Sequence, residues 1–582
     1  MTLMKRQITV LIAIMIIAGA LLALVGCGII GEEYTVLEWY ASYFETYFPR
    51  WMDDFAAMHP EENIRFEFRA MVGEAAQKVY TMLISNTLSD IIVVGTGTRA
   101  LLIDNQALEP IPEGFIDTEQ YMPLALSLDR YEDGSLSAIP FTIGIRPFMY
   151  FNVDILEEVG ADVDEIPGTF DEYHEWAAQF LRWRLPDGSI VNGKLPPEKV
   201  SGATRLRRPL LIQRGHILSV YPFLLAYLDP MVDEDGHSDN SLDDFLGGPP
   251  SNRPFRFDTP EVIAGMTEWR DFFLSDTGAI ADGDADRIQG LTAGNYASVE
   301  GGNWIFSEVF SVNMTTTSLP SAEGKPLRLP IGVTAQGVSR QSPNKELAMK
   351  FARYISEANQ LLDGYYGHGY LPSRWDAWEA IRAFDEEDIR IRERFLSPFA
   401  EGNADFIGQP RIRRTYHDRM TLEVYVPFRA NVTLGTWSSL DDEPDVPEHP
   451  GEEILDEPGE LDPSEEVVAE TFAERHDRRL QQLASDVARM TGKEVTVVLQ
   501  GTPEEMVSLR SVVQESPVEN YLPHLEHGVY VPVHRLWERL QGEVIVRMAQ
   551  FVTHPDPSRR MTPEEAARWA QEEAEAIAEG RK

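Results

Sequence analysis

The chain has one cysteine in 582 residues. No disulfide can form within it, so whatever folds must be held by its hydrophobic core, which a chain of this length can supply. Basic residues are also in short supply. Lysine and arginine total 51 against 94 aspartates and glutamates, a formal net charge of −43. That balance argues against nucleic acid and against an anionic membrane surface as partners, since both are met by basic patches. Signatures of chemistry are missing too. The histidines show no His-Glu-x-x-His spacing, and no Gly-x-Ser-x-Gly elbow occurs. Gly95-Thr96-Gly97 lacks the lysine and later glycines of a phosphate loop. Asp282-Gly283-Asp284-Ala285-Asp286 hints at a calcium loop but lacks the glycine at position six and the glutamate at position twelve. No metal or cofactor is expected. Carboxylate pairs are everywhere in so acidic a chain, so a hydrolytic dyad is neither supported nor excluded.

What is present begins at the N-terminus. Lys5 and Arg6 precede an apolar run, Val10 to Val25, that ends in Leu24-Val25-Gly26-Cys27. A basic n-region, an apolar h-region and small residues at a cleavage site make a secretory signal. The segment resembles a lipobox, which implies cleavage before Cys27 and acylation of its sulfur. The alternative is an uncleaved transmembrane helix, since Val10 to Ile30 approaches the roughly 20 residues that span a bilayer. Either way the bulk of the chain lies outside the cytoplasm. Residues 1–26 are therefore read as signal peptide and 27–33 as tether.

Further along, short strands alternate with helices. Tyr34 to Tyr40 and Asn63 to Phe68 read as strands, and Ile91 to Val94 as a strand buried on both faces. Helices are expected around Trp51, Phe55 and Met58 and from Gly73 to Asn86. Strand–helix alternation of this kind predicts βαβ units and a parallel sheet. Helix starts are marked at Thr169 with Glu172, Thr259-Pro260, Ser342-Pro343 and Thr562-Pro563. From Asp441 to Glu470 there are many carboxylates, several prolines and no lysine or arginine, which reads as an exposed acidic linker, assigned to 436–470. A small α+β unit is expected at 471–525, built on a Glu494–Gln500 strand and a helix opened by Thr502-Pro503. C-terminal helices follow at 526–582.

Four ordered segments resemble the family 1 extracellular solute-binding proteins of ABC importers. They are Leu88-Ser89-Asp90 through Val94 with Leu101 to Pro110; Asp133-Gly134 to Pro140, Tyr150-Phe151-Asn152 and Phe170 to Glu172; Gly294 to Trp304; and Gly337 to Arg340 through Phe351 with Gly369-Tyr370-Leu371-Pro372-Ser373-Arg374. Phe170 stands where the family commonly has tryptophan. The resemblance implies a two-lobe α/β fold of the periplasmic-binding-protein type II kind, with mixed sheets flanked by helices and a C-terminal insertion. It spans 34–435, with lobe 1 at about 34–141 and 303–360 and lobe 2 the remainder. It also implies a non-enzymatic receptor for a sugar or oligosaccharide, monomeric, that hands its ligand to ABC permease subunits. The ligand-binding residues it suggests are Trp39, Tyr40, Arg146, Asn303, Trp304, Gly337 and Tyr370, with Cys27 as the lipid attachment point. Arg146 has the alternative of pairing with a carboxylate, and Trp39 and Trp304 that of core packing. A secreted polysaccharide-active hydrolase and an envelope interaction protein remain open as other readings of the whole.

Overall fold

The structure is a computed structural model. It describes residues 34–41, 47–70, 75–162, 165–232, 235–238, 240–275, 277–278, 280–281, 284–305, 314–325, 327–391, 394, 411–425, 432–437, 472–500, 518–526 and 528–581. The signal segment, Cys27, the tether, nearly all of the acidic linker and the helix expected at Thr502-Pro503 lie outside the described residues, as do Asp282 and Gly283.

Lobe 1 is organised on one sheet. Its strands are β1 (Thr35–Ala41), β2 (Ile64–Ala70), β3 (Ile91–Val94), β4 (Ile139–Ile145), β12 (Pro330–Val338), β13 (Leu371–Pro372) and β18 (Val529–Tyr530). The order is β13-β4-β12-β3-β1-β2, with β18 paired to β12. β1 runs parallel to β2 and β3, as the βαβ reading expects. Every residue of β3 is buried, which explains its unbroken apolar run: helices and loops cover both faces. Asp90 just before it is structural. Its carboxylate accepts from the Glu38 amide at 2.8 Å and from the Ser342 hydroxyl.

Lobe 2 holds the second sheet. Its strands are β5 (Phe148–Asn152), β6 (Arg182–Arg184), β7 (Ile190–Asn192), β8 (Thr204–Gln213), β9 (Ile280–Ala281), β10 (Tyr296–Gly301) and β11 (Met314–Ser318). The order is β11-β5-β10-β8-β6-β7, with β9 on β8. Marked helix starts hold here. Thr169 caps Phe170–Ala177 by accepting from the Glu172 amide, and Thr259 caps Pro260–Leu274. Phe170 stacks on Phe223 at 4.8 Å between centroids, a packing role. One start shifts: the helix expected at Ser342-Pro343 begins at Lys345, because the Ser342 hydroxyl is spent on Asp90 and the Asn344 amide.

The lobe boundaries differ from expectation. The chain leaves lobe 1 at Ile145, not near 141, and returns between β11 and β12, not at 303. β4 and β5 are both apolar and buried, so the pattern carries no mark where one sheet ends and the next begins. The C-terminal segment then binds the lobes together. β18 joins the lobe 1 sheet, while Trp537, Leu540, Val544, Met548 and Ala570 enter the lobe 2 core. Thr562 closes a capping box with Glu565 at the start of Pro563–Ala578.

A third, four-stranded sheet comprises β14 (Arg411–Tyr416), β15 (Arg419–Tyr425), β16 (Val432–Trp437) and β17 (Glu494–Gln500), in the order β14-β15-β17-β16. The Phe472–Thr491 helix covers one face through Leu480, Leu483, Ala484 and Val487. The unit thus begins well before residue 471: β15 pairs with β17 in parallel across a long stretch of sequence, and no local pattern announces such a pairing. It is fastened to lobe 1. The β14–β15 turn sets His417 against Asp363, whose carboxylate accepts from the His417 amide and from Trp51 Nε1, and Asp418 pairs with Arg50. The Asp363 bond raises the His417 imidazole above its usual value, with burial opposing.

A folded-state pKa above the unfolded one stabilises fully below the unfolded value and is lost as pH rises through the folded value. The stability lost in His417→Ala, about 1 kcal/mol for such a bond, is therefore expected to be largest below about pH 6.5 and to shrink above it. Urea melts of both proteins at several pH values measure this.

Candidate functional site

The crossing from β4 to β5 is where the seven expected site residues begin to separate into groups. Arg146 follows β4 directly and is 1 % exposed. Its guanidinium reaches into lobe 2. Nε pairs with Glu300 Oε1, and Nη2 meets Glu300 Oε2 at 3.0 Å, Gln213 Oε1 at 2.8 Å and Ser219 Oγ at 3.2 Å. Arg287 approaches the same carboxylate at 3.2 Å. Burial alone works to raise the Glu300 carboxyl, but Arg146 with its hydrogen bonds, and then Arg287, outweigh it and hold the group down at about 2. Burial and then Arg146 push the His216 imidazole down to about 3, so it stays neutral beside them. Arg146 is thus a clamp on lobe 2, the carboxylate alternative, and not a ligand-facing group.

Asn303 stands next to this clamp, just after β10. It is 1 % exposed. Its Oδ1 accepts from the Ile145 amide at 3.0 Å, and its Nδ2 donates to the Gly369 carbonyl. One lobe 2 side chain therefore holds two lobe 1 backbone groups, which makes it a pivot. Gly369 fits because its φ is +72° and because a Cβ there would come within 2.5 Å of the Asn303 carbonyl oxygen. Trp304 follows, half-buried, with the Arg146 guanidinium 5.6 Å from its ring centroid. Its ring lies back over Gly302, where a Cβ would sit 2.0 Å from Cζ3. The space left by the glycine is filled by this ring and is not a backbone approach for ligand. Tyr370, half-buried, follows Gly369 and meets the His368 ring at 4.6 Å.

The other three residues lie inside lobe 1. Trp39 is fully buried. Phe48, Phe68 and Phe351 surround its ring, and its Nε1 donates to Gln336 Oε1 at 3.2 Å. It is a core side chain and offers no platform. Tyr40 is 4 % exposed and lies on the opposite sheet face with Ile92, Val94 and Leu108. Gly337 makes room for Leu108, whose Cδ1 would lie 2.7 Å from an added Cβ. Period-two alternation puts consecutive residues on opposite faces, and here both faces are covered. The structure therefore brings together Arg146, Asn303, Trp304 and Tyr370, and leaves Trp39, Tyr40 and Gly337 as the layer behind.

The sequence reading missed Glu300 and Glu538. Glu300 sits in the Tyr296–Gly301 strand among buried neighbours, and a carboxylate inside an apolar strand is the signal that marks it. Glu538 lies on the Arg535–Arg539 helix of the lobe 2 side, yet its carboxylate faces Gly97 of lobe 1. Nothing local in the sequence pairs these two positions. Among the described residues, no cluster of three or more metal-ligating side chains forms, and no helix is long and apolar enough to cross a membrane.

Two sheets in separate lobes, joined by crossings that pivot on one asparagine, define a hinged receptor fold with a cleft between the lobes. Residues 50–382 match the family of bacterial extracellular solute-binding proteins, and the chain belongs to it. That family places it outside the cytoplasm. Among solved structures it is similar to the GacH receptor of Streptomyces glaucescens, solved unliganded and with acarbose (14% identity, TM-score 0.57, 94% of this chain and 99% of that one). It is also similar to maltose-bound MalE3 of T. maritima (13% identity, TM-score 0.54, 93% and 99%). A third is the cycloalternan-bound ABC substrate-binding protein of Listeria monocytogenes (11% identity, TM-score 0.54, 94% and 100%). At such identities the likeness is one of fold. No curated protein sequence matches.

Two substitutions test the hinge. Glu300→Gln removes the carboxylate that the buried Arg146 guanidinium pairs with and is expected to cost about 3–5 kcal/mol in urea unfolding. Asn303→Ala leaves the Ile145 amide and the Gly369 carbonyl unpaired, at about 1–3 kcal/mol for each buried group.

Proposed function

We propose that the chain is a lipid-anchored receptor that captures a carbohydrate by hinge closure and delivers it to an ABC importer, with no chemistry of its own. The observation that carries this reading is the placing of half-buried Trp304 and Tyr370 beside the pivot. Sugars present apolar C–H faces, and an aromatic ring near an interlobe cleft is a platform for them. In this reading Trp304 and Tyr370 touch the ligand. Arg146 and Asn303 set the hinge, while Trp39, Tyr40 and Gly337 support the strand ends from behind. The saccharides named with the similar structures, maltose and cycloalternan, agree with this ligand class.

Closure needs differential contact. Moving a population from about 1:99 to 99:1 takes roughly 5.5 kcal/mol in favour of the closed state. Groups from both lobes must therefore touch the ligand. Acylation of Cys27 would hold the receptor at the membrane, since each buried methylene contributes about 0.8 kcal/mol and two or three chains anchor far better than one. The expected partners are permease subunits, with the receptor as a monomer.

Calorimetry of the chain from residue 32 against mono- and oligosaccharides tests the ligand class. Binding with unchanged sugar is expected, and Trp304→Ala should weaken it about 2- to 10-fold, the range of one lost aromatic contact. Release of a cleavage product would contradict the receptor reading. Mass spectrometry of the mature protein is expected to show an acylated Cys27 N-terminus, and an intact Met1 would contradict the anchor.

A further inference from the structure

Glu538 occupies a place that nothing in the fold's stability explains. Its neighbours Trp537 and Leu540 are buried in the lobe 2 core, at 1 % and 0 % exposure. Its own carboxylate is turned the other way, toward the first turn of the Thr96–Asp104 helix of lobe 1. A Cβ on Gly97 would lie 3.7 Å from Oε1 and 3.8 Å from Oε2. The lobe 1 turn sits at the end of β3, the edge of an α/β sheet where ligands are met. Glu538 is exposed to solvent, yet surrounding protein desolvates it enough to raise its carboxyl above the usual range. Among the described residues it makes no hydrogen bond or ion pair, unlike Glu543 on the next turn, which Arg539 holds at 3.0 Å. A wet carboxylate with no partner among the described residues thus stands where the lobe 2 side approaches the first helical turn after β3 of lobe 1.

Buried donors without partners gather on the same elements. Tyr221 is fully buried on the Ile217–Leu225 helix, its hydroxyl is unpaired, and it feels the Glu538 charge. Trp537 Nε1 and Gln541 Nε2 are likewise buried and unpaired. Gln541 lies four residues after Trp537 and three after Glu538, which puts it between them on the helix surface. It is the second residue of a π-helical stretch, Leu540–Ile545, a distortion frequent at functional sites. Orphaned buried donors cost free energy unless something meets them.

We propose that Glu538 is a specificity-determining residue of the cleft, accepting two neighbouring hydroxyls of a neutral sugar ring while Tyr221 and Gln541 supply donors beside it. This rests on the carbohydrate-receptor reading. A carboxylate suits a vicinal diol because its two oxygens accept in parallel, and bonds to an ionised acceptor are roughly twice as strong as neutral ones. The same charge repels sugars that carry a carboxylate, so selection works by exclusion as well as by attraction.

The test is calorimetry of the mature chain with maltose, maltotriose, cellobiose and glucuronate, on wild type, Glu538→Gln and the paired-carboxylate control Glu543→Gln. Wild type is expected to bind a neutral sugar and to reject glucuronate. Glu538→Gln should lose about 10- to 100-fold in affinity for that neutral sugar, the worth of a charge-assisted bond, and should narrow the gap to glucuronate. Glu543→Gln should change neither. Because the ionised form is the acceptor, wild-type affinity should fall as pH drops through the raised Glu538 value, and Glu538→Gln should lose that dependence. Glu538→Asp, which keeps the charge and withdraws it by one methylene, should keep it. Wild-type affinity and pH profile in Glu538→Gln would overturn the assignment. Failure of wild type to bind any of these sugars would overturn the carbohydrate reading beneath it.

Discussion

The buried ion pair between Arg146 and Glu300 decides how the two lobes relate. Arg146 belongs to the crossing out of lobe 1, and Glu300 to the central region of the lobe 2 sheet. Both are buried to within 1 %, so neither charge has water as an alternative partner. Removing two charges from water is costly, and their attraction repays it only with good geometry and satisfied lone pairs. Here Gln213, Ser219 and Arg287 complete the set. The consequence is directional. The crossing is clamped on its lobe 2 side by this pair, and beside it Asn303 ties the lobe 1 backbone at Ile145 and Gly369.

The C-terminal segment strengthens this division. The Val518–Glu526 helix packs Tyr521 against Phe148 at 4.6 Å and shares a hydroxyl contact of 2.8 Å with Tyr150 on β5. Asn520 donates to the Thr316 carbonyl of β11. The extra sheet, by contrast, is fastened to lobe 1 through Asp363, Arg50 and the Lys493–Glu387 pair. Its contacts are with lobe 1, while the helix that follows it packs on β5 and β11. The bulk added to this chain is thus attached where it leaves the lobe 2 cluster undisturbed.

How much of this was legible depended on whether the cause was local. Ile91–Val94 declared itself because burial on both faces selects an unbroken apolar run. Thr169, Thr259 and Thr562 declared their helices because a cap is a short-range hydrogen bond. The Glu494–Gln500 strand was read with its bounds intact, but its partners, Arg419–Tyr425 and Val432–Trp437, were assigned to the wrong unit because their pairing is non-local. The site followed the same rule. Gly301-Gly302-Asn303-Trp304 was singled out, and it does form the pivot, yet its glycines serve Ile305 and Trp304 and not a ligand. Trp39 looked like a platform only because sequence cannot say which face of a strand is covered. The Glu538–Gly97 approach joins positions more than 400 residues apart, and no spacing rule reaches that far.

The central claim is rigid-lobe closure about the crossing at residues 145–146. Spin labels at Glu346→Cys in lobe 1 and Asp187→Cys in lobe 2, both exposed, allow pulsed electron resonance to read the interlobe distance directly. The account predicts that a bound saccharide moves this distance to a shorter, narrower distribution, while a pair placed at Glu346→Cys and Glu67→Cys within lobe 1 stays unchanged. A saccharide that binds and leaves the interlobe distribution as it was, or one that shifts the pair within lobe 1, would contradict it.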